Sequence, residues 1–194
     1  MNRTLRIAVA DDESDMREYY QTILPRLGYD VVGVASNGRE MVTVCHETNP
    51  DLVILDIKMP EVDGIEVAVE LYRTRPVPVI LVSAYHDSEL MSRAEADHVM
   101  AYLVKPIKQA DLQPAIGLAY RRFEQFEELR RETQTLKQAL EDRKIIERAK
   151  GILMKRSGLS EEDAFRRMQK LASQKNQKLI EVARSLVTAD EALG

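Results

Sequence analysis

The chain alternates short apolar runs with helical patterns, and this alternation limits the possible folds more than any other feature. The apolar runs predict strands at 5–10, 30–35, 51–56, 77–83 and 100–105. The segments between them predict helices near 13–27, 38–48, 64–74 and 86–96, and a further helix from 108 onward. Strands that alternate with helices indicate crossover connections and a parallel sheet that is covered on both faces. The first part of the chain is therefore predicted to be an α/β domain with a five-stranded, doubly wound parallel sheet.

Charged residues stand at the ends of three of these predicted strands. Asp11 and Asp12 follow the first strand, Asp56 ends the third, and Lys105 follows the fifth. In open α/β sheets, ligands bind at the carboxyl edge of the strands. Converging carboxylates repel one another unless a divalent cation holds them, and Mg²⁺ prefers such oxygen ligands. Because a lysine ammonium suits a phosphoryl oxygen, the pattern favours a site that accepts a phosphoryl group on a carboxylate.

Each residue of this site has a predicted role, with Asp56 as the phosphoacceptor. Lys105 is expected to neutralise the phosphoryl oxygens, and Ser83, at the end of the fourth strand, offers them a hydroxyl donor. The candidate Mg²⁺ ligands are the side chains of Asp11, Asp12 and Asp56 and the backbone carbonyl of Lys58. Simpler explanations also exist: paired acids after a strand can cap the next helix, Lys105 fits a surface lysine, and Tyr102 fits a core residue.

These motifs resemble the receiver domain of two-component response regulators. The resemblance rests on Asp11-Asp12, on Asp56 with Met59-Pro60 and Asp63-Gly64, on Ser83-Ala84, and on Lys105-Pro106, which match that family in order and spacing from residue 5 to about 118. It implies a flavodoxin-like fold, a histidine kinase as phosphodonor, and Mg²⁺ in the acidic pocket. It also implies that Tyr102 is a switch residue, which turns inward as Ser83 moves toward the phosphate. His98 is a departure, because the family often carries glycine there.

The predicted helix from residue 108 carries apolar residues at steps of three or four. The stripe consists of Ile116, Ala119, Phe123, Phe126, Leu129, Thr133, Leu136 and Leu140. Such heptad-like spacing with charged flanks favours a dimeric coiled coil, although a helix that packs the stripe on its own domain would show the same pattern. We therefore predict a receiver domain at 1–118, a helical coiled-coil linker at 119–138, and a second domain at 139–194.

The last part of the chain has the pattern of three short helices. Gly158 is predicted to end the first helix, and Ser160 to begin the second, while Leu179 lies at the start of the third. On the first of these helices, Lys144, Arg148 and Lys155 share one face with Gly151, and Lys150 and Arg156 flank it. A basic face around a glycine suits a nucleic-acid backbone, but a solvated helix face with ion pairs has the same composition.

The local sequence here resembles the ANTAR domain, a three-helix RNA-binding module of transcription antitermination regulators. The matching residues are 146–154, Ala164-Phe165 and 179–183, within a segment from about 139 to 188. The resemblance implies a dimer that binds two RNA stem-loops in leader transcripts and prevents a terminator hairpin from forming. Unpaired loop bases are the usual target of sequence-specific RNA recognition. The candidate RNA-binding residues are Lys144, Arg148, Lys150, Lys155 and Arg156.

Composition excludes several other classes of protein. With 44% hydrophobic and 31% charged residues, the chain has the composition of a soluble protein, and its single cysteine excludes an internal disulfide framework. No apolar run approaches the length of a membrane span, and the first apolar run is too short for a signal peptide, so we expect a cytoplasmic protein without a membrane partner. Residues 1–114 carry 11 Lys and Arg against 19 Asp and Glu, whereas residues 139–194 carry 12 against 9, which indicates two domains with different partners.

The expected function is a response regulator that is phosphorylated on Asp56, pairs into a homodimer on phosphorylation, and controls gene expression through RNA. A DNA-binding regulator is the main alternative, but the last helix holds only Lys178 and Arg184 as basic residues. A tail that docks a protein is a third possibility. An enzymatic output is not expected, because residues 119–194 contain no His, no Cys and no glycine-rich loop.

Overall fold

The structure is a computed structural model that describes residues 4–84 and 99–193. Its internal contacts divide the chain into two units, Met1–Glu127 and Glu128–Gly194. We refer to them as the N-terminal and the C-terminal unit and describe each by itself.

The N-terminal unit contains a parallel sheet of five strands. They are β1 (Arg6–Ala10), β2 (Asp30–Ala35), β3 (Leu52–Asp56), β4 (Val79–Ser83) and β5 (Val99–Val104). Their spatial order is β2-β1-β3-β4-β5, and every neighbouring pair is parallel. The order reverses at β1, between β2 and β3, and such a reversal opens a crevice at the carboxyl ends of the strands.

Helices cover both faces of this sheet. They are α1 (Ser14–Arg26), α2 (Gly38–Thr48), α3 (Gly64–Thr74) and the first part of α4 (Gln109–Ser157). One apolar cluster lies between the sheet and residues of α2 and α3, and the other lies between the sheet and residues of α1 and α4. Strands β3 and β4 are buried along their whole length, because both of their faces are covered.

The observed elements confirm the predicted flavodoxin-like architecture. The strands and helices of the described residues begin and end within two residues of the positions expected from the sequence. The helix predicted near 86–96, and His98, lie outside the described residues.

Helix α4 corrects the interpretation of the long apolar stripe. Ile116 and Ala119 are fully buried against the sheet of their own unit, and Phe123 packs at the margin of the same cluster. The ring of Phe126 lies 6.4 Å from that of Tyr72 on α3. The first half of the stripe thus packs within its own domain, because the uncovered sheet face offers it a large apolar surface.

The second half of the stripe remains exposed. Leu129, Leu136 and Leu140 are 62%, 64% and 55% accessible to solvent. The segment available for a coiled coil therefore starts near residue 129 and is shorter than the stripe in the sequence.

The C-terminal unit contains the rest of α4 together with α5 (Glu161–Lys175) and α6 (Leu179–Leu193). Gly158 follows α4 with a φ of +63°, and the Ser160 hydroxyl accepts a hydrogen bond from the backbone N–H of Asp163, as a helix N-cap does. The small core is formed by Ala149, Leu153, Ala164, Met168 and Ala183. The predicted three-helix arrangement is confirmed, with a first helix that ends before Gly158 and a second that begins after Ser160.

Candidate functional site

The strand order brings the predicted acids together at one edge of the sheet. Strands β1 and β3 are neighbours, and Asp11 directly follows β1 while Asp56 ends β3. Both side chains are buried: Asp11 is 0% and Asp56 6% exposed. Two buried carboxylates side by side are unfavourable without a positive charge, so their compensation decides what the site can do.

Lys105 supplies part of this compensation. Its ammonium donates hydrogen bonds to Oδ2 of Asp56 at 2.7 Å and to Oε1 of Glu13 at 2.8 Å, and it lies 3.1 Å from Oδ2 of Asp11. The backbone N–H of Lys105 donates to the carbonyl of Ser83 at 2.9 Å, which ties the lysine to the end of β4. The predicted convergence of Lys105 and the acids is therefore present in the structure.

The acids outnumber the lysine. Oxygen atoms of Asp11, Asp12, Glu13 and Asp56 all lie within 4.8 Å of one another. Oδ2 of Asp11 is buried and accepts no well-aligned hydrogen bond, even though the lysine ammonium lies 3.1 Å away. Four carboxylates against one ammonium leave an excess of negative charge, and oxygen ligands of this kind suit a hard divalent cation. The residues present thus fit a Mg²⁺ site.

The protonation equilibria reflect the same imbalance. Burial raises the pKa of Asp11 and of Asp56 above the ordinary range, although Lys105 and backbone N–H donors oppose the shift. For Lys105, burial lowers the pKa, but the hydrogen bonds to Asp56 and Glu13 outweigh it and the pKa is raised. The two directions are compatible, because one cation faces several anions while each anion is buried beside other anions.

Two residues of this region, Glu13 and Arg17, were not predicted from the sequence. Glu13 contributes a carboxylate that contacts Lys105, and that contact lowers the pKa of Glu13. Arg17 donates from one terminal nitrogen to the backbone carbonyls of Asp11 and Asp12, each at 2.8 Å. The sequence could have indicated Glu13, because it directly follows the paired acids Asp11 and Asp12. It could not have indicated Arg17, because that contact depends on how α1 packs.

The other predicted residues of the sheet edge occupy different depths. Ser83 is buried at the end of β4, where it lies opposite Val104. Tyr102 is half-buried on β5, against the core below α2 and α3. The backbone N–H of Lys58 donates to Oδ1 of Asp56 at 3.3 Å. Ser83 and Lys58 thus lie next to the strand ends that carry Asp56 and Lys105, and Tyr102 lies three residues before Lys105.

The loop behind Asp56 depends on a glycine. A Cβ atom at Gly64 would lie 2.2 Å from the backbone carbonyl oxygen of Asp56, a distance that no side chain tolerates. The N–H of Gly64 donates to the carbonyl of Ile57, and the Asp63 side chain caps the start of α3. Gly64 therefore permits the close approach of α3 to the strand end that carries Asp56.

The predicted RNA-binding residues of the C-terminal unit fall into two groups. Lys144, Arg148, Lys155 and Arg156 are exposed on α4. Lys150 is only 8% exposed, and its ammonium lies between Glu147 at 2.8 Å and Glu161 at 2.7 Å. Hydrogen bonds to both glutamates raise the pKa of Lys150. In this conformation Lys150 joins α4 to the start of α5 and is not presented to a ligand.

Two exposed arginines of this set are paired with acids of α6. Arg148 lies 2.9 Å from Oε1 of Glu191, and Arg156 lies 2.5 Å from Oδ1 of Asp190. Lys144 pairs with Glu141, one helical turn earlier on the same helix, at 3.3 Å. The basic face predicted from the sequence is thus partly neutralised within its own unit.

Comparison with known families covers most of the chain. Residues 7–117 match the response regulator receiver domain, and residues 134–187 match the ANTAR domain. A curated relative, the transcriptional regulatory protein PdtaR of Mycobacterium tuberculosis, is 41% identical over 178 residues, which cover 92% of this chain and 87% of that protein. The probable transcriptional regulator ycf27 of Galdieria sulphuraria is 34% identical over 129 residues, or 65% of this chain and 49% of that protein.

Solved structures resemble the N-terminal part. A response regulator receiver domain protein from Clostridium thermocellum has a TM-score of 0.58 and 30% identity, and it covers 63% of this chain and 98% of that one. The signal receiver domain of a modulated diguanylate cyclase from Desulfovibrio desulfuricans has a TM-score of 0.59 and 28% identity over the same shares.

The parallel sheet and the cluster of acids around one lysine, together with these matches, define a receiver domain. The chain as a whole belongs to the response regulators that carry a receiver domain followed by an ANTAR domain. Within residues 4–84 and 99–193, no helix is both long enough and apolar enough to cross a membrane.

Proposed function

We propose that this protein is a phosphorylation-controlled regulator that binds RNA and acts by transcription antitermination. The observation that carries the proposal is the Lys105 ammonium, which lies 2.7 Å from the Asp56 carboxylate within a cluster of four acids. The proposed division is a receiver at 1–118, a helical linker at 119–138 and an ANTAR domain at 139–194.

In the proposed reaction, an oxygen of Asp56 attacks the phosphorus of a phosphohistidine on a histidine kinase. The P–N bond breaks, the phosphoryl group passes to the carboxylate, and the imidazole leaves with a proton. Lys105 then exchanges its contact with the Asp56 carboxylate for a phosphoryl oxygen, and the Ser83 hydroxyl donates to another. Lys105 suits this role because its ammonium already lies at the acceptor.

A bound Mg²⁺ ion would supply positive charge against the acids and the incoming phosphoryl oxygens. The residues proposed to hold it are Asp11, Asp12, Asp56 and the backbone carbonyl of Lys58. Arg17 supports this arrangement indirectly, because it fixes the carbonyls of Asp11 and Asp12.

The signal is proposed to leave the acceptor through Ser83 and Tyr102. Phosphorylation adds about −1.5 to −2 units of charge at Asp56, which draws the Ser83 hydroxyl toward the phosphate. Tyr102 then turns inward behind it and changes the surface near β5 and the start of α4. The exposed leucines of α4 would pair with those of a second copy, which makes the phosphorylated form a homodimer.

The output is proposed to be the binding of RNA stem-loops in leader transcripts. The exposed basic residues of α4 would contact RNA phosphates, and Arg148 and Lys155 share one face around Gly151. A Cβ atom at Gly151 would meet no neighbouring atom, so this face has open space for a close approach.

Labelling by a small phosphodonor tests the acceptor. The variant D56N is expected to lose labelling by radioactive acetyl phosphate completely, because an amide oxygen is too weak a nucleophile. The matched control is D51N, which removes a carboxylate from the opposite end of β3 and should leave labelling intact. Labelling of D56N at the wild-type level would refute the assignment of Asp56.

Gel shifts test the output. The double variant R148Q/K155Q is expected to lose most of its affinity for stem-loop RNA, whereas R167Q/K170Q, which removes the same charge from exposed positions on α5, should bind like the wild type. Labelling at Asp56 should be unchanged in both. Preferential binding of the wild type to duplex DNA would instead support a DNA-binding regulator, and binding to neither nucleic acid would point to a protein partner.

A further inference from the structure

Two arginines of α4 converge on two adjacent acids near the end of α6. Arg148 pairs with Glu191, and Arg156, which lies eight residues further along α4, pairs with Asp190. All four side chains belong to the C-terminal unit and are between 32% and 58% exposed. The site is therefore a pair of guanidinium groups that is occupied by a pair of carboxylates at the protein surface.

The position of the two acids is unfavourable for α6 by itself. The last turn of a helix carries partial negative charge, so carboxylates there are disfavoured, and no basic residue of α6 stands in its last turn. The arginines of α4 thus provide the compensating positive charge for Asp190 and Glu191. The match to the ANTAR family ends at residue 187, so both acids lie beyond the segment that matches the family.

Such exposed ion pairs are weak and exchangeable. Each one contributes about 0.2–1 kcal/mol, because water and salt screen the charges. A guanidinium group binds a phosphate with the same planar pair of N–H donors that it offers to a carboxylate. A chain of phosphates, which gains affinity from each cation that it contacts, competes well for these two arginines.

We propose that Arg148 and Arg156 form a binding site for RNA backbone phosphates, and that the carboxylates of Asp190 and Glu191 occupy this site in the absence of RNA. This inference rests on the proposed RNA-binding function and adds a competitor to it. Bound RNA displaces the end of α6 from the arginines, and the acids set a threshold that a nucleic acid must exceed to bind.

Single substitutions with a matched control test the competition. E191Q frees Arg148 and D190N frees Arg156, whereas E162Q frees Arg166, which pairs with Glu162 on α5. Each substitution removes one negative charge. With the full-length protein and a pool of RNA stem-loops with randomised loops, E191Q and D190N should each bind about 1.5- to 5-fold more tightly than the wild type. E162Q should not, and an equal gain for all three variants would overturn the proposal.

A second background and a second probe sharpen the result. In the variant R148Q, the further change E191Q should give no gain, because Arg148, the partner of Glu191, is already absent; a gain there would overturn the proposal. On a heparin column, E191Q should elute at higher salt than E162Q, and elution at equal salt would count against the site. A wild type that binds no RNA would refute the proposed function. Because heparin is a polyanion other than RNA, the heparin comparison would still decide whether the acids of α6 compete for the two arginines.

Discussion

Lys105 is held from both sides of the acidic cluster, by Asp11 and Glu13 after β1 and by Asp56 at the end of β3. The lysine loses solvation on burial but gains more from its anionic neighbours, so it stays charged. Because its ammonium is already in place, a phosphoryl group arriving at Asp56 in the proposed reaction would meet a positive charge that needs no large movement. Glu13 is the least buried of these acids, and its effect is therefore the easiest to isolate by substitution.

The substitution E13Q is expected to weaken Mg²⁺ binding by about fivefold, because one unit of negative charge near the ion contributes about 1 kcal/mol at a solvated edge. Calorimetric titration of the whole protein with Mg²⁺ measures this effect. The control is E18Q, an exposed glutamate of α1 outside the cluster of Asp11, Asp12, Glu13 and Asp56, which should bind Mg²⁺ like the wild type. Unchanged affinity in E13Q would place Glu13 outside the field of the ion.

The substitution G64A is expected to destabilise the N-terminal unit by about 1–3 kcal/mol, because the new methyl group would meet the carbonyl oxygen of Asp56. The control is G117A, on α4, where a Cβ atom meets no neighbour within 4 Å. That change should stabilise the helix by about 0.5–1 kcal/mol. Chemical denaturation of the two variants checks both signs, and a stable G64A protein would contradict the close approach of α3.

At the scale of elements, the apolar stripe of α4 lies in two different environments, one buried and one exposed to solvent. Its first part lies on the sheet, where Ile116 and Ala119 are fully buried, and its middle part exposes Leu129, Leu136 and Leu140. The exposed leucines are spaced for a coiled coil, and nothing within the described residues of the chain covers them. The two parts therefore respond differently to the same kind of substitution.

The substitution I116A is expected to lower the free energy of unfolding by about 2–5 kcal/mol, since it leaves a cavity in a packed core. L136A should change it by no more than about 0.5 kcal/mol in dilute, monomeric protein. At higher concentration, with beryllofluoride present as a mimic of the phosphoryl group, L136A should weaken self-association in sedimentation experiments. An equal loss of stability for both variants under dilute conditions would show that the exposed stripe packs within a single chain.

The contact between Lys150 and Glu161 makes the junction of α4 and α5 sensitive to acid. Lys150 lowers the pKa of Glu161, so the stabilisation is present above the unfolded pKa of about 4.3 and is lost as the pH falls through the folded value. The melting temperature of E161Q should therefore lie below that of the wild type near pH 7, and the difference should shrink as the pH falls below about 4.3. E162Q, whose partner is Arg166, is the control. If the difference in melting temperature between E161Q and the wild type persists in acid, it does not arise from the contact between Lys150 and Glu161.

The sequence was sufficient to predict the contacts that follow from strand order. Parallel strands place their carboxyl ends at one edge, so the meeting of Asp56, Asp11 and Lys105 follows from topology. The contact of Glu13 with Lys105 depends on the reach of two side chains, which a pattern of strands and helices does not contain.

Contacts between helices far apart in the chain were also beyond prediction from the sequence. Arg148 and Glu191 are separated by 43 positions, and their pairing depends on how α6 packs on α4. The apolar stripe of α4 was misassigned in its first half for a similar reason. Its spacing describes one apolar face, and a sheet or a second helix satisfies that face equally well.

For the whole molecule, the proposed link between phosphorylation and RNA binding is the association of two chains. Beryllofluoride, a phosphoryl mimic, is expected to shift the measured mass from about 22 kDa toward twice that value in light scattering. D56N should show no shift with the same reagent, because the mimic has no acceptor. If the wild type has the same mass with and without beryllofluoride, the phosphoryl mimic does not pair two chains. RNA binding would then not depend on the pairing of receiver domains.

The tilted contact between the rings of Tyr72 and Phe126 is a suitable place for a fluorescent reporter. The chain contains no tryptophan, so F126W would create a single indole emitter beside a tyrosine, at the point where α4 leaves the sheet. Any rearrangement of α4 against α3 would then change the emission wavelength and intensity of this single indole, and stopped-flow mixing can follow that change from the millisecond range onward.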